Sequence, residues 1–168
     1  MYDKSHLGMP MSFTINPDQS RIICGFESGD VLFWNVLNVQ FEKKESLSSK
    51  PILHLVSISN SEADSDSLLV LDSTGRLRLS RDSDSSSSGF KSADYGENTT
   101  SMTARKDGKL LLLGMSTGKG RLISTKSLKT LSLFPAHSDR ISNSKWNQLS
   151  FFTFGQDHRV CCYKPYNH

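Results

Sequence analysis

The sequence predicts an all-β protein built from one repeated unit. Apolar segments along the 168-residue chain are short, and Gly, Asp, Asn and Ser separate them as turn residues do. No stretch carries the 3.6-residue apolar spacing that an amphipathic helix needs. The same set of segments occurs four times at a nearly constant spacing, and this periodicity decides the fold.

The composition is that of one ordinary globular domain. Hydrophobic residues make up 36% of the chain, and the formal net charge is +3. The longest aliphatic run, residues 110–113, is far shorter than the roughly 20 residues that cross a bilayer, and no basic-then-apolar signal segment opens the chain. Acidic and basic residues interleave throughout. We therefore expect no membrane insertion, no classical secretion and no direct nucleic-acid binding.

Cysteine and serine usage adds two expectations. The three cysteines are an odd number, and Cys161 and Cys162 are adjacent, so they point to opposite faces of a strand. We expect reduced thiols, and we expect no metal site because no second ligand pair stands at metal-binding spacing. We also expect no cofactor. Serines concentrate in residues 57–67 and 80–89, which we interpret as solvated loops, with regulatory phosphorylation as the alternative.

The first repeat defines the unit. Residues 11–15, 21–26 and 31–36 are its apolar segments, and residues 16–19 and 27–30 join them as tight turns. Three short strands joined in this way form a meander. The later repeats have corresponding segments at residues 52–58, 68–72 and 76–80, at 101–105, 109–115, 121–124 and 130–134, and at 139–146, 151–155 and 159–163.

The repeat length indicates the architecture. Aligned on the second turn of each unit, Gly29, Gly75, Gly118 and His158 are 46, 43 and 40 residues apart. A period in the low forties with three or four short strands is that of a β-propeller blade. Because blades stack face to face, both faces of a middle strand are buried, which explains continuous apolar runs such as residues 110–113. A β-sandwich, the alternative, gives no reason for a fixed period.

We predict a single partial propeller domain over residues 1–168. Its four blades cover approximately residues 9–40, 51–95, 99–135 and 136–168. Rings of this architecture commonly have more blades, so we expect an incomplete ring whose first blade leaves an apolar face and a strand edge uncovered. Another chain, or a further N-terminal portion of the same protein, would supply the missing blades. Two copies that pair into an eight-bladed ring are the homomeric alternative.

Several segments resemble the WD-repeat family of propellers. Residues 136–147, Ala-His-Ser-Asp-Arg-Ile-Ser-Asn-Ser-Lys-Trp-Asn, are similar to the family's Gly-His start and first strand. Residues 155–163 resemble its Asp turn and third strand. Residues 25–35 resemble the same turn and strand and end in Trp-Asn, where the family signature has Trp-Asp. The resemblance spans nearly the whole chain in degenerate form.

The resemblance implies a structural cluster of His, Ser or Thr, Asp and Trp within a blade. The matching residues of the last repeat are His137, Thr153 and Asp157, with Tyr163 at the Trp position, and Trp34 holds that position in the first repeat. Such a cluster would satisfy polar groups that are otherwise buried without partners. These residue types also form hydrolytic triads, but no nucleophile elbow or Gly-rich oxyanion loop accompanies them.

The first three repeats depart from the family pattern. Ser28, Thr74 and Thr117 stand where Asp157 stands in the last repeat, and no histidine precedes these repeats at the family spacing. We expect their turns to lack the His–Asp link, so that these blades are held mainly by stacking.

A second resemblance covers a shorter part of the chain. Residues 8–11, Gly-Met-Pro-Met, together with residues 25–36, resemble the ASTRA-associated WD-repeat subunits and their guanine-nucleotide-binding-protein-β-like relatives. This resemblance implies a non-enzymatic nuclear subunit, a chromatin regulator that with cochaperones supports maturation of phosphatidylinositol-3-kinase-related kinases.

We predict a non-catalytic scaffold, not an enzyme, whose partners are other protein subunits in the nucleus or the cytoplasm. The expected contact loops are the Lys43–Lys44 connection, the serine-rich tip after Ser80 and the turn at residues 119–121. A reader of modified peptides is the alternative function. A propeller hydrolase is a further alternative.

Overall fold

The structure is a computed structural model that describes residues 6–60, 65–81, 91–96 and 98–165. These residues form fifteen strands in four antiparallel sheets. Sheet 1 contains β1 (Pro10–Ile15), β2 (Arg21–Phe26), β3 (Asp30–Asn35) and β4 (Gln40–Ser46), and sheet 2 contains β5 (Ile52–Asn60), β6 (Ser65–Asp72), β7 (Arg76–Arg81) and β8 (Lys91–Asp94). Sheet 3 contains β9 (Thr99–Ala104), β10 (Leu110–Met115), β11 (Lys119–Ser124) and β12 (Thr130–Pro135), and sheet 4 contains β13 (Ile141–Asn147), β14 (Ser150–Gly155) and β15 (Val160–Tyr163).

Each sheet is a meander, because strands that follow one another in sequence are hydrogen-bonded neighbours. Sheets 1 to 3 have four strands each, and the described part of sheet 4 has three. The predicted all-β architecture of four propeller blades is therefore confirmed. The chain divides into two compact units, Met1–Asp94 and Tyr95–His168. That they form a single domain stays a prediction. Within the residues described, no helix is long and apolar enough to cross a membrane.

The second strands of sheets 2 and 3 lie in the core. In β10 every residue is buried, and in β6 the run of residues 68–71 is no more than 6% exposed. Burial on both faces explains why these segments are continuously apolar. In the first unit one apolar cluster joins sheet 2 to sheet 1, and it consists of Ile23, Val31, Phe33, Leu47, Ile52, Leu55, Leu68 and Val70.

A buried isoleucine packs against a glycine where the two sheets of each unit meet. Ile52, at the start of β5, is fully buried, and a Cβ on Gly25 of β2 would lie 2.6 Å from its Cγ2 atom. Ile141, at the start of β13, has the same relation to Gly114 of β10, again at 2.6 Å. A side chain at either glycine would push the next sheet away.

The chain crosses from one sheet to the next along the turn of the preceding sheet. In the first unit the backbone N–H groups of Leu47 and Ser48 donate to the Gly29 carbonyl oxygen at 3.2 and 3.1 Å. In the second unit two consecutive N–H groups donate to the Gly118 carbonyl oxygen at 3.1 and 2.9 Å. Both glycines have positive φ, +87° and +76°, and a Cβ on them would lie 2.1 and 2.2 Å from a crossing carbonyl oxygen. The crossing therefore needs glycine for two separate reasons.

Several segments predicted as loops are strands. The Lys43–Lys44 connection lies within β4, and residues 119–121 begin β11, so both loop predictions are wrong and the first blade extends to Ser46 rather than to residue 40. The outer strand β4 is exposed, and its lysines pair with Glu45 and Asp30 at 2.8 Å, so it carries no apolar alternation that a sequence pattern could show.

The two serine-rich segments, both predicted as loops, differ in what the structure shows of them. In residues 57–67, β5 continues to Asn60 and β6 begins at Ser65, so most of this segment is strand rather than loop. Ser67 is only 4% exposed. Most of the other serine-rich segment, residues 82–89, lies outside the described residues.

The crossing predicts a large effect of Gly118→Ala. The left-handed backbone costs a non-glycine residue about 1 kcal/mol, and the added methyl group also collides with the crossing, so we expect a loss of more than about 2 kcal/mol in the free energy of unfolding, measured by urea denaturation. Gly96→Ala is the matched control, because Gly96 has a φ of +79° but no atom within 4 Å of its Cβ position. Equal losses in the two variants would contradict the role of the crossing.

Candidate functional site

Three of the predicted cluster residues form one hydrogen-bonded network in sheet 4. His137 lies on the crossing before β13, Thr153 lies in the middle of β14, and Asp157 lies in the turn between β14 and β15. The Nδ1 atom of His137 is 2.8 Å from Oδ1 of Asp157, and its Nε2 atom is 2.9 Å from Oγ1 of Thr153. The imidazole thus ties the crossing to the strand and to the turn.

The Asp157 carboxylate is the centre of this network. Besides His137, it accepts hydrogen bonds from the backbone N–H groups of Ser138 and Arg159 at 3.1 and 3.2 Å. Burial alone would raise the pKa of Asp157, but the hydrogen bonds from Ser138 and His137 outweigh it and hold the pKa below its usual value. The carboxylate therefore stays ionised and fixes the turn.

The network has little access to solvent. Thr153 is 0% exposed, and His137 is 9% exposed. A nucleophile must reach a substrate carbonyl, and a wholly buried threonine hydroxyl cannot do so without a rearrangement. The geometry therefore fits a structural clamp and not a hydrolytic triad.

The other two predicted cluster residues lie outside this network. Tyr163 stacks on Phe151 at 5.2 Å between ring centroids, and its hydroxyl group donates to the Pro135 carbonyl oxygen at 3.4 Å. Trp34 belongs to the other unit, where its ring meets Phe41 edge-on at 6.1 Å. Tyr163 therefore packs within sheet 4 and also against β12 of sheet 3, where its ring centroid is 4.9 Å from that of Phe134. Trp34 packs within sheet 1.

Sheet 2 contains a cluster that the sequence analysis missed. Ser48 precedes Ile52 by four residues, as His137 precedes Ile141, and its hydroxyl group donates to Oδ2 of Asp72 at 2.7 Å. The backbone N–H and the hydroxyl group of Thr74 both donate to Oδ1 of Asp72, at 3.0 and 2.6 Å. A serine, an aspartate and a threonine thus hold this turn where sheet 4 uses a histidine.

Sheet 1 uses a third arrangement. The Asp30 carboxylate accepts hydrogen bonds from the hydroxyl groups of Ser28 and Ser46 at 2.8 and 2.5 Å, and it pairs with the Lys44 ammonium group at 2.8 Å. Asp30 and Asp72 are 7% and 4% exposed. The turns of sheets 1 and 2 therefore each have a buried carboxylate in addition to the stacking that the sequence analysis predicts.

One face of sheet 1 presents large apolar side chains to solvent. On β1 the side chains of Ser12 and Thr14 face sheet 2, with the Ser12 hydroxyl group donating to the Ile52 carbonyl oxygen at 3.0 Å and the Ser57 N–H donating to the Thr14 hydroxyl oxygen at 3.4 Å. The alternate residues therefore point to the opposite face. We call this the open face of sheet 1, and its residues are Met11, Phe13, Ile15, Ile22 and Trp34.

The exposure of the open face is unusual for such residues. Met11, Phe13 and Ile15 are 40%, 72% and 48% exposed. At one end of the same face, Leu7 covers Leu32 and is itself 1% exposed. An apolar strand face of this kind, continuous over three alternate positions, marks a contact surface or an aggregation hazard.

Among the described residues, the cysteines do not form a metal site with acidic or histidine ligands. The Cys161 thiol group donates to the Ala136 carbonyl oxygen at 3.2 Å, and Cys162 is exposed on the other face of β15. In the described ranges no three His, Cys, Asp or Glu side chains are grouped closely enough to hold a metal ion.

The His137 network predicts a stability effect. We expect His137→Ala to lower the free energy of unfolding by about 1–3 kcal/mol, because the buried Thr153 hydroxyl group loses its partner. Chemical denaturation would measure it. His6→Ala changes an exposed histidine and serves as the control. A loss no greater than that of the control would argue against the clamp.

The Asp72 cluster predicts a pH effect. Burial alone would raise the pKa of Asp72, but hydrogen bonds from Thr74 and Ser48 outweigh it, so the pKa in the folded protein lies below the usual value of 3.8. Asp72 therefore stabilises the fold above that pH, and its contribution is lost as the pH falls through the lowered pKa. We expect Asp72→Asn to lower the free energy of unfolding strongly at neutral pH and less in acid. Urea denaturation of the wild type and the variant at both pH values would measure the difference.

Asp94→Asn is the control for this measurement, because Asp94 is exposed on β8. Its effect should be small at both pH values. A destabilisation by Asp72→Asn that stays constant with pH would contradict the assignment.

Comparisons with known proteins agree with this geometry. The model of the family "Anaphase-promoting complex subunit 4 WD40 domain" matches residues 63–149, just over half of the chain. No curated protein matches the chain by sequence. Among solved structures, the computationally designed Ika4 protein has a TM-score of 0.74 at 10% identity, over 97% of this chain and 95% of that one.

The designed Ika8 protein gives a second structural match. Its TM-score is 0.69 at 12% identity over 92% of this chain, which spans only 45% of the Ika8 chain. Identities this low establish the fold alone. Together with the repeated sheets and the His–Asp–Thr network, the family match over residues 63–149 shows that the chain belongs to the WD40 family, within the group described by the anaphase-promoting complex subunit 4 WD40 domain.

Proposed function

We propose that the protein is a non-catalytic interaction scaffold, a subunit of a multiprotein assembly that binds its partner through the open face of sheet 1. The main support is the 72% exposure of Phe13 between two further exposed apolar residues of β1. Full burial of one such side chain is worth about 1.5–3 kcal/mol. A partner that covers the face would gain this free energy for several residues at once.

The chemistry of the open face defines the kind of partner. Met11, Phe13, Ile15, Ile22 and Trp34 carry no formal charge, so the partner presents an apolar protein surface rather than a phosphate or an acidic peptide. WD40 domains generally bind other proteins, and the matching family is named after a subunit of a complex. Both facts support an assembly subunit.

A hydrolase is not favoured, because both ring nitrogens of His137 are engaged and Thr153 is wholly buried. A protein that binds modified peptides is the second candidate from the sequence. Such a protein would need a ring of aromatic or acidic residues around the mouth of the propeller. The uncharged, sheet-like open face favours the scaffold.

Membership of the ASTRA assembly, with a nuclear role in kinase maturation, is the finer proposal. It rests on residues 8–11 and 25–36 alone, which lie outside the 63–149 match. Recovery of the kinase-maturation cochaperones with the protein would support it.

Affinity purification followed by quantitative mass spectrometry tests the scaffold. We expect the wild-type protein to recover a reproducible set of subunits, and Phe13→Glu to lose them at least about tenfold, because a charge enters an apolar contact. Leu149→Glu is the matched control, since Leu149 is 74% exposed in the turn between β13 and β14 and is not one of the open-face residues. Equal recovery with all three proteins would contradict the proposal.

A further inference from the structure

Each unit shows how one sheet covers the next. In the first unit the side of sheet 1 that carries Ile23 and Phe33 packs against the side of sheet 2 that carries Leu55, Leu68 and Val70. We call the first a forward face and the second a backward face. A forward face belongs to the earlier sheet of a pair, and a backward face belongs to the later one.

The second unit repeats this arrangement. The Ser101 hydroxyl group of β9 is 3.0 Å from that of Ser144 in β13, and Phe134 of β12 is 5.5 Å from Phe151 of β14 between ring centroids. The forward face of sheet 3 thus packs on the backward face of sheet 4. The same contact between a forward and a backward face therefore occurs once in each unit.

The open face of sheet 1 is a backward face. Ile22 lies as many residues before the turn glycine Gly29 as Leu68 lies before Gly75, so the two residues are equivalent in sheets 1 and 2. The pairing of β1 with β2 and of β5 with β6 makes Phe13 equivalent to Leu55 in the same way. Leu55 and Leu68 are each 6% exposed, because sheet 1 covers them, whereas Phe13 is 72% exposed. The backward face of sheet 1 is thus exposed at Phe13, where no described residue covers it.

Sheet 4 carries the opposite surface. Counted from Gly29 and His158, Val160 holds the position of Val31 on a forward face. Val31 is 0% exposed, whereas Val160 is 61% exposed and Phe154, on the same face, is 38% exposed. Sheet 4 therefore presents a forward face that has the chemistry to cover a further sheet.

We propose that the open face of sheet 1 binds the forward face of sheet 4 of a second copy of this chain. The inference rests on the proposed function, because it names the occupant of the same docking face. The chain thus exposes one backward face, on sheet 1, and one forward face, on sheet 4. Within each unit, a forward face packs on a backward face in the same way. A two-fold pair of copies would make this contact twice, with each copy giving one face and receiving on the other.

The charges and the area are compatible with this dimer. The five residues of the open face are uncharged, and the Lys44–Asp30 ion pair lies on the same side of sheet 1. Sheet 4 brings one charged residue, Lys145, to its exposed face. Three strands spaced about 4.8 Å apart and six residues long give a face of roughly 14 by 20 Å, so two contacts bury roughly 1,100 Å². This lies near the lower limit of about 1,200 Å² for a stable interface, so we expect a dimer that depends on concentration.

Sedimentation velocity with the purified chain, from roughly 1 to 100 μM, is the test. We expect the wild type and the Leu149→Glu control to dimerise, and Phe13→Glu and Phe154→Glu each to raise the dissociation constant at least about tenfold. An equimolar mixture of the two variants should regain dimer, because one of the two contacts in a mixed pair then joins two unaltered faces. Circular dichroism would check that each variant is folded.

Three results would overturn the inference: a monomeric wild type over this range, a dimer that neither variant weakens, or no gain on mixing. A monomeric wild type together with cellular subunits that are lost in Phe13→Glu would assign the face to another protein and leave the proposed function standing. A dimer that weakens and recovers as expected, without recovered subunits, would support the second copy and contradict the wider scaffold.

Discussion

The backbone crossing between successive sheets is the constraint on which the fold depends. At Gly29 and again at Gly118, one carbonyl oxygen accepts two consecutive N–H groups from the segment that leads into the next sheet. This contact fixes where the next first strand begins, and it brings Ile52 or Ile141 onto the glycine of the preceding middle strand. The faces of the two sheets then meet in a register that buries both apolar surfaces.

The three turn clusters show that this constraint can be met with different chemistry. Asp157 works with a histidine, Asp72 with a serine and a threonine, and Asp30 with two serines and a lysine. What the three share is an ionised carboxylate that gathers donors from the turn and from a neighbouring segment. The histidine cluster of sheet 4 is therefore one of several arrangements that hold a turn of this fold.

The sequence allowed the four sheets to be predicted because turn residues and buried middle strands recur at a period near that of a blade. It also placed an uncovered apolar face on the first blade, where Phe13 is 72% exposed. It could not reveal β4, because an exposed outer strand that carries charged residues of both signs has no apolar pattern. The Ser48–Asp72 link was hidden for a related reason: a serine four residues before a strand is common in loops, and only the folded crossing brings its hydroxyl group to the carboxylate.

Native-state amide hydrogen exchange tests the central claim, that the crossings hold the sheets together. The amide groups of Leu47, Ser48 and His137 donate to the turn carbonyl oxygens although they lie between sheets. We expect them to exchange as slowly as the amides of β2 and β10, because they open only when a whole unit opens. Exchange as fast as that of Leu37, an 86% exposed residue between β3 and β4, would show that the crossings open independently and would contradict the account.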